Sequence, residues 1–156
     1  MSVKRNATAT AFAVALLIIL AVPTAALAVP RVPGVEPFVV DVPAGEFCSF
    51  PVQLTILDGQ RLHQGPGTVV LTGPFAVTVT NMASGASQTF TASGPTMLEP
   101  RSGAVVLVGP AIIGQPASRG VGDPFLIYHR GRAVFTENNT LASITGQTVD
   151  ICAALS

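Results

Sequence analysis

The sequence is poor in charge and in the side chains that most often do chemistry. Charged residues make up 10% of the 156 positions, against a usual share of about 25%. Lys4 is the single lysine, and His63 and His129 are the only histidines. With a formal net charge of zero and no cluster of Lys or Arg, the chain lacks the electrostatic footprint that phosphate backbones require, so nucleic acid is excluded as a partner. Hydrophobic residues reach 49%, which excludes a disordered chain, because disorder needs low hydrophobicity and high net charge. There is no GxSxG, no Walker loop, no HExxH and no paired CxxC. No metal or other cofactor is implied, since a zinc site takes three or four ligands and nothing suitable clusters near either histidine. After residue 30 no window carries a helical stripe of apolar residues.

The N-terminus carries an export pattern. Lys4 and Arg5 form a short positive region, and the 12 residues Ala11–Val22 are an unbroken apolar run. Pro23 ends the run, and Ala26-Leu27-Ala28 supplies small residues for cleavage. The expectation is a signal peptide over residues 1–28, removed after Ala28. The alternative is a retained anchor, since reading through Pro23 to Val29 lengthens the run to 19 residues. No cysteine follows the signal directly, so a lipoprotein is not indicated. Contact with a membrane is expected only through this segment before cleavage. Cleavage leaves 156 minus 28, or 128 residues, with six Arg against eight acids and a formal charge of −2. That charge is too small to steer partners strongly.

The remainder reads as strands. Val52, Leu54 and Ile56 alternate with Gln53 and Thr55, and Phe75, Val77 and Val79 alternate with Ala76, Thr78 and Thr80. A period of two marks a half-buried strand. Further candidates are Phe38–Val42, Gly67–Thr72, Gln88–Ala92, Ala104–Val108, Phe125–His129, Ala133–Glu137 and Leu141–Cys152, all rich in Val, Thr, Ile and Phe. Turn signals separate them: Leu57-Asp58-Gly59, Gly65-Pro66-Gly67, Gly73-Pro74, Ser84-Gly85, Ser93-Gly94-Pro95 and Gly109-Pro110. Turns about every 8–12 residues point to one all-β domain, an antiparallel sandwich or barrel of about 8–10 short strands over residues 38–156. Residues 29–37 are proline-rich and read as an extended arm. One hairpin is expected across Asn81–Gly85, and a second turning at Arg130-Gly131. Gly146 reads as a β-bulge inside the last strand.

Cys48 and Cys152 are the only cysteines and admit one pairing. In an exported chain they are expected to form a disulfide, with two buried free thiols as the alternative. The densest polar cluster is Tyr128-His129-Arg130-Gly131-Arg132. One reading makes His129, Arg130 and Arg132 an anion-binding tip, because guanidinium forks grip carboxylate or phosphate. The other is a solvated hairpin tip that blunts a sheet edge. Asp58 lies five residues before His63, but the intervening Gly59 and the following Gly-Pro-Gly suit a surface loop better than a catalytic pair. Asn138-Asn139-Thr140 is a glycosylation sequon that matters only in a eukaryotic secretory route.

Glu46-Phe47-Cys48-Ser49-Phe50-Pro51-Val52, Val79-Thr80-Asn81 with Ser93-Gly94-Pro95, and Gly146-Gln147-Thr148-Val149-Asp150-Ile151-Cys152 resemble segments of small secreted actinomycete proteins of unknown function. The resemblance implies export from a Gram-positive cell and carries over no catalytic residue. The expected function is therefore a non-catalytic extracellular domain that binds an unidentified partner or ligand, or associates with a surface. A small apolar-ligand carrier in a closed barrel is the alternative. A hydrolase with a scattered site ranks below both.

Overall fold

A computed structural model describes residues 33–156. The expected signal peptide, and the arm before Pro33, lie outside the described residues. The fold is all-β, in two antiparallel sheets. The strands are β1 (Phe38–Val42), β2 (Val52–Asp58), β3 (Arg61–Gly65), β4 (Thr68–Thr72), β5 (Phe75–Asn81), β6 (Ser87–Thr91), β7 (Thr96–Leu98), β8 (Val105–Gln115), β9 (Phe125–Phe135) and β10 (Leu141–Asp150), and a short helix α1 (Ile151–Ala154) follows them. One sheet runs β1-β2-β5-β6 and the other β10-β9-β8-β7-β4-β3.

The two sheets share their strands. β2 pairs with β5 from Val52 opposite Asn81 to Asp58 opposite Phe75, and β3 pairs with β4 from Arg61 opposite Thr72 to Gly65 opposite Thr68. Both ladders keep one register, and the Gly59 amide donates to the Pro74 carbonyl across the junction at 2.8 Å. This is one long hairpin that bends from the first sheet into the second. β6 and β7 follow the same path. β5–β6 and β4–β7 also keep a single register, bridged by the Ala92 amide on the Phe75 carbonyl at 2.8 Å. Gly73-Pro74 is therefore a bend within a strand and not the turn that its composition suggests.

A row of glycines carries the bend onward. Gly109 of β8 stands opposite Gly131 of β9, which stands opposite Gly146 of β10. Their φ angles are 86°, 155° and 123°, a region that side chains with a Cβ rarely adopt. A Cβ on Gly131 would collide with the Thr145 carbonyl and lie 2.9 Å from the Gly146 Cα. Three expectations are corrected here. No hairpin turns at Arg130-Gly131, because β9 is a continuous strand of 11 residues that spends the positive φ of Gly131 on bending in register with its neighbours. Gly109-Pro110 likewise lies inside β8, where the Pro110 carbonyl accepts from the Gly94 amide at 3.1 Å. The β-bulge falls between Leu141 and Ser143, while Gly146 stays in register. The hairpin across Asn81–Gly85 is present, and β3 and β7 are strands that alternation did not indicate.

The main core lies between the first sheet and part of the second. Val52, Val77, Val79, Phe90, Leu126, Ile151 and Leu155 pack there with Cys48. The chain end is built into it. Asp150 caps α1 by accepting from the Ala153 amide at 3.0 Å, and the buried Asn81 amide donates to the Leu155 carbonyl at 2.9 Å. Asn81 also accepts from the Ala83 amide at 2.8 Å, so its burial leaves neither end of the side chain unpaired. Cys48 and Cys152 form the disulfide, with Cα atoms 5.4 Å apart. It joins the loop before β2 to α1, so Cys152 belongs to a helical turn and not to the closing strand.

Candidate functional site

Alternation along β9 divides the polar cluster that the sequence singles out. His129 is fully buried, opposite Ala111 and Thr148, whereas Arg130 and Arg132 are exposed. Successive strand residues point to opposite faces, so His129 cannot converge with the two arginines on one anion. Among the described residues neither ring nitrogen of His129 has a hydrogen-bond partner. At least one of them carries a proton in either tautomer, and an unpaired buried donor costs about 1–3 kcal/mol. His129→Leu is accordingly expected to raise stability by about 1–2 kcal/mol, read as a higher urea midpoint at unchanged slope. A loss of stability on that substitution would mean that the imidazole is paired in solution.

Arg130 takes part in a different arrangement. Its guanidinium lies over the Tyr128 ring, 5.4 Å from the centroid, and its Nε donates to the Tyr128 hydroxyl at 3.2 Å. That hydroxyl donates in turn to the Thr91 carbonyl of β6 at 3.0 Å. Phe90 packs against Tyr128 with ring centroids 5.2 Å apart. Tyr128 faces Val149 across the β9–β10 ladder, and Arg130 faces Gln147. Together with the edge of β6 these residues bound an open groove of about 400 Å³. Its floor is half apolar, from Tyr128 and the 46%-exposed Val149, and among the described residues Arg130 is the only charged one lining it. Arg132, two residues along, lies outside it.

One wall of the groove is backbone. β6 is the last strand of its sheet. The Asn81 amide donates to Ala86 and the Ala92 amide to Phe75, which sets the phase of the β5–β6 ladder. Residues 86, 88, 90 and 92 turn their amides and carbonyls toward β5, so Ser87, Thr89 and Thr91 turn theirs outward. Of these outward groups, the Tyr128 hydroxyl engages the Thr91 carbonyl.

Other crevices among the described residues lie elsewhere. Asp58, Arg61, His63 and Thr72 border one of about 440 Å³ where β2 bends into β3. All of β3 is exposed, and the Asp58 carboxylate accepts from the Gln60 amide at 3.0 Å. No hydrogen bond joins Asp58 to His63, so the pair lacks the contact by which a carboxylate orients a catalytic imidazole. Val105, Leu107, Ile113 and Phe135, with Arg119 and Asn139, line a more open groove of about 290 Å³. Among the described residues no three His, Cys, Asp or Glu side chains come together to hold a metal ion. No described helix is long and apolar enough to cross a membrane.

The sequence points to Arg130 but not to Phe90, Gln147 or Val149. Tyr128 and Arg130 are neighbours on one strand face at i and i+2, and that spacing is the local signal for the pair. Their companions come from other strands. No family model matches the chain, and neither the curated proteins nor the solved structures give a match.

Proposed function

We propose that this is a secreted, non-catalytic binding domain whose ligand seats in the groove between β6 and the β9–β10 surface. The observation that carries the reading is the composition of that groove: two packed aromatics, one cation held over a ring, and the outward-facing backbone of an edge strand. Concave sites that mix apolar surface with a few placed polar groups are the usual seats of ligands. Export is supported by the N-terminal pattern and by the disulfide, a bond that persists in oxidising compartments. The resemblance to secreted Gram-positive proteins agrees with it. The alternative, a carrier of small apolar ligands, would need an apolar cavity between the sheets, where Val52, Val77, Val79, Phe90 and Leu126 pack together.

The test is a titration of isotope-labelled mature protein with short peptides, oligosaccharides and a medium-chain fatty acid, followed by amide chemical shifts. Saturable shifts are expected at residues 87–91, 128–130 and 147–149. If every ligand leaves these amides unmoved, or if all shifts fall elsewhere, the groove is not the site.

A further inference from the structure

We infer that the groove takes an extended peptide from another polypeptide, added as a strand to the free edge of β6 with a carboxylate set against Arg130. This rests on the groove being the binding site and goes further in naming what fills it.

The first argument is the contrast among the sheet edges. A bare strand edge is a template for pairing, and soluble proteins blunt such edges with charge, proline, bulges or short length. Three of the four edges here are blunted. β1 carries Asp41 and is bracketed by Pro37 and Pro43. β3 carries Arg61 and His63 and ends at Gly65. β10 carries the bulge after Leu141 and bends at Gly146, which has a φ of 123°. β6 is the sequence Ser87-Gln88-Thr89-Phe90-Thr91, with no charge, no proline and no bulge. It is a regular edge of strand-forming residues.

The second argument is the floor. The Tyr128 hydroxyl reaches up from β9 to the Thr91 carbonyl, which places the end of β6 over β9. The second sheet continues to β10, and there Val149 is 46% exposed and Gln147 is exposed. The upper sheet thus stops short of covering the lower one. A strand added to β6 would lie about 4.8 Å further out, above the Tyr128–Val149 and Arg130–Gln147 pairs. Its backbone would meet the outward groups of Ser87 and Thr89, and every second side chain would face the floor.

The third argument is charge. Nε of Arg130 is committed to Tyr128, while the two terminal nitrogens make no hydrogen bond among the described residues. Among the described residues no carboxylate lines the groove. A peptide carboxylate would find a desolvating aromatic neighbour and a fork of free donors.

The experiment uses the disulfide-bonded mature protein and a synthetic octapeptide of alternating threonine and valine with one central glutamate. Lysine-for-glutamate and N-methylated versions serve as controls. The glutamate peptide is expected to bind saturably and to shift the Ser87 and Thr89 amides, with the lysine peptide at least tenfold weaker. N-methylation of the amides that face β6 is expected to abolish binding, and N-methylation of the alternate set to leave it. Arg130→Gln should remove the preference for glutamate. Gln147→Glu, on an exposed position that does not disturb folding, should reverse it. Equal binding of the acidic and basic peptides, indifference to N-methylation, or no peptide binding would each overturn the inference. If an oligosaccharide or the fatty acid shifts the groove amides while no peptide does, the strand reading falls and the groove remains the binding site.

Discussion

Gly131→Ala is expected to cost about 2–6 kcal/mol, and Gly131→Val to prevent folding altogether. Two effects add at this position. A non-glycine residue held at a φ of 155° is strained, at about 1–3 kcal/mol. The added Cβ also drives into the Thr145 carbonyl and the Gly146 Cα of the adjacent strand, and overpacking against backbone costs a further 1–3 kcal/mol or so. Neither obstacle can rotate away, because both belong to the β9–β10 ladder. Against a total stability of about 5–15 kcal/mol, this is a large fraction. Gly85→Ala is the control. Its φ of 78° is also positive, but a Cβ there meets nothing within 4 Å, so a loss of only about 1 kcal/mol is expected. Urea unfolding of the two variants side by side decides the matter. Equal midpoints would mean that the glycine row is not under steric demand.

Removal of the disulfide is expected to be comparably damaging. Cys48 and Cys152 are 104 residues apart in sequence, and closing a loop of that length restricts the unfolded chain by about 4–5 kcal/mol on the chain-entropy account. Cys48 is itself a buried member of the core, so the Cys48→Ala, Cys152→Ala double variant also loses packing. Its urea midpoint should fall well below that of the parent protein, and reductant should lower the parent's midpoint while leaving the variant's unchanged. A parent whose midpoint does not respond to reductant would show that the bond contributes nothing.

The sequence discloses the strands that alternate and conceals the way they join. Val52, Leu54 and Ile56, like Phe75, Val77 and Val79, announce their periodicity within a few residues, so β2 and β5 are legible locally. Gly73-Pro74, Gly109-Pro110 and Arg130-Gly131 read equally well as turns, because a turn and a bend both ask for positive φ. What separates the two is register: Gly109, Gly131 and Gly146 lie side by side only once β8, β9 and β10 are paired. The same false turn placed His129 beside Arg130 on a hairpin tip, when a continuous strand sends one inward and the other outward. The cysteine pairing needed no such information, since two cysteines allow one bond. Arg130 is visible as a charge in a charge-poor chain. The strand that faces its groove, β6, reveals itself as an open edge only through the sheet order.

The shared strands bear on how the molecule comes apart. In a sandwich of separate sheets, one layer can loosen while the other holds. Here β2–β3, β4–β5 and β6–β7 each cross from one layer to the other without a break in register, so a rupture of either layer propagates along the same strands. Residues 52–98 form a meander of contacts close in sequence, the kind that assembles early, whereas the bond from Cys48 to Cys152 closes only after the chain end has arrived. Amide hydrogens on the two sides of the bend, at Val79 and at Val70, should therefore exchange with the solvent through one common opening event.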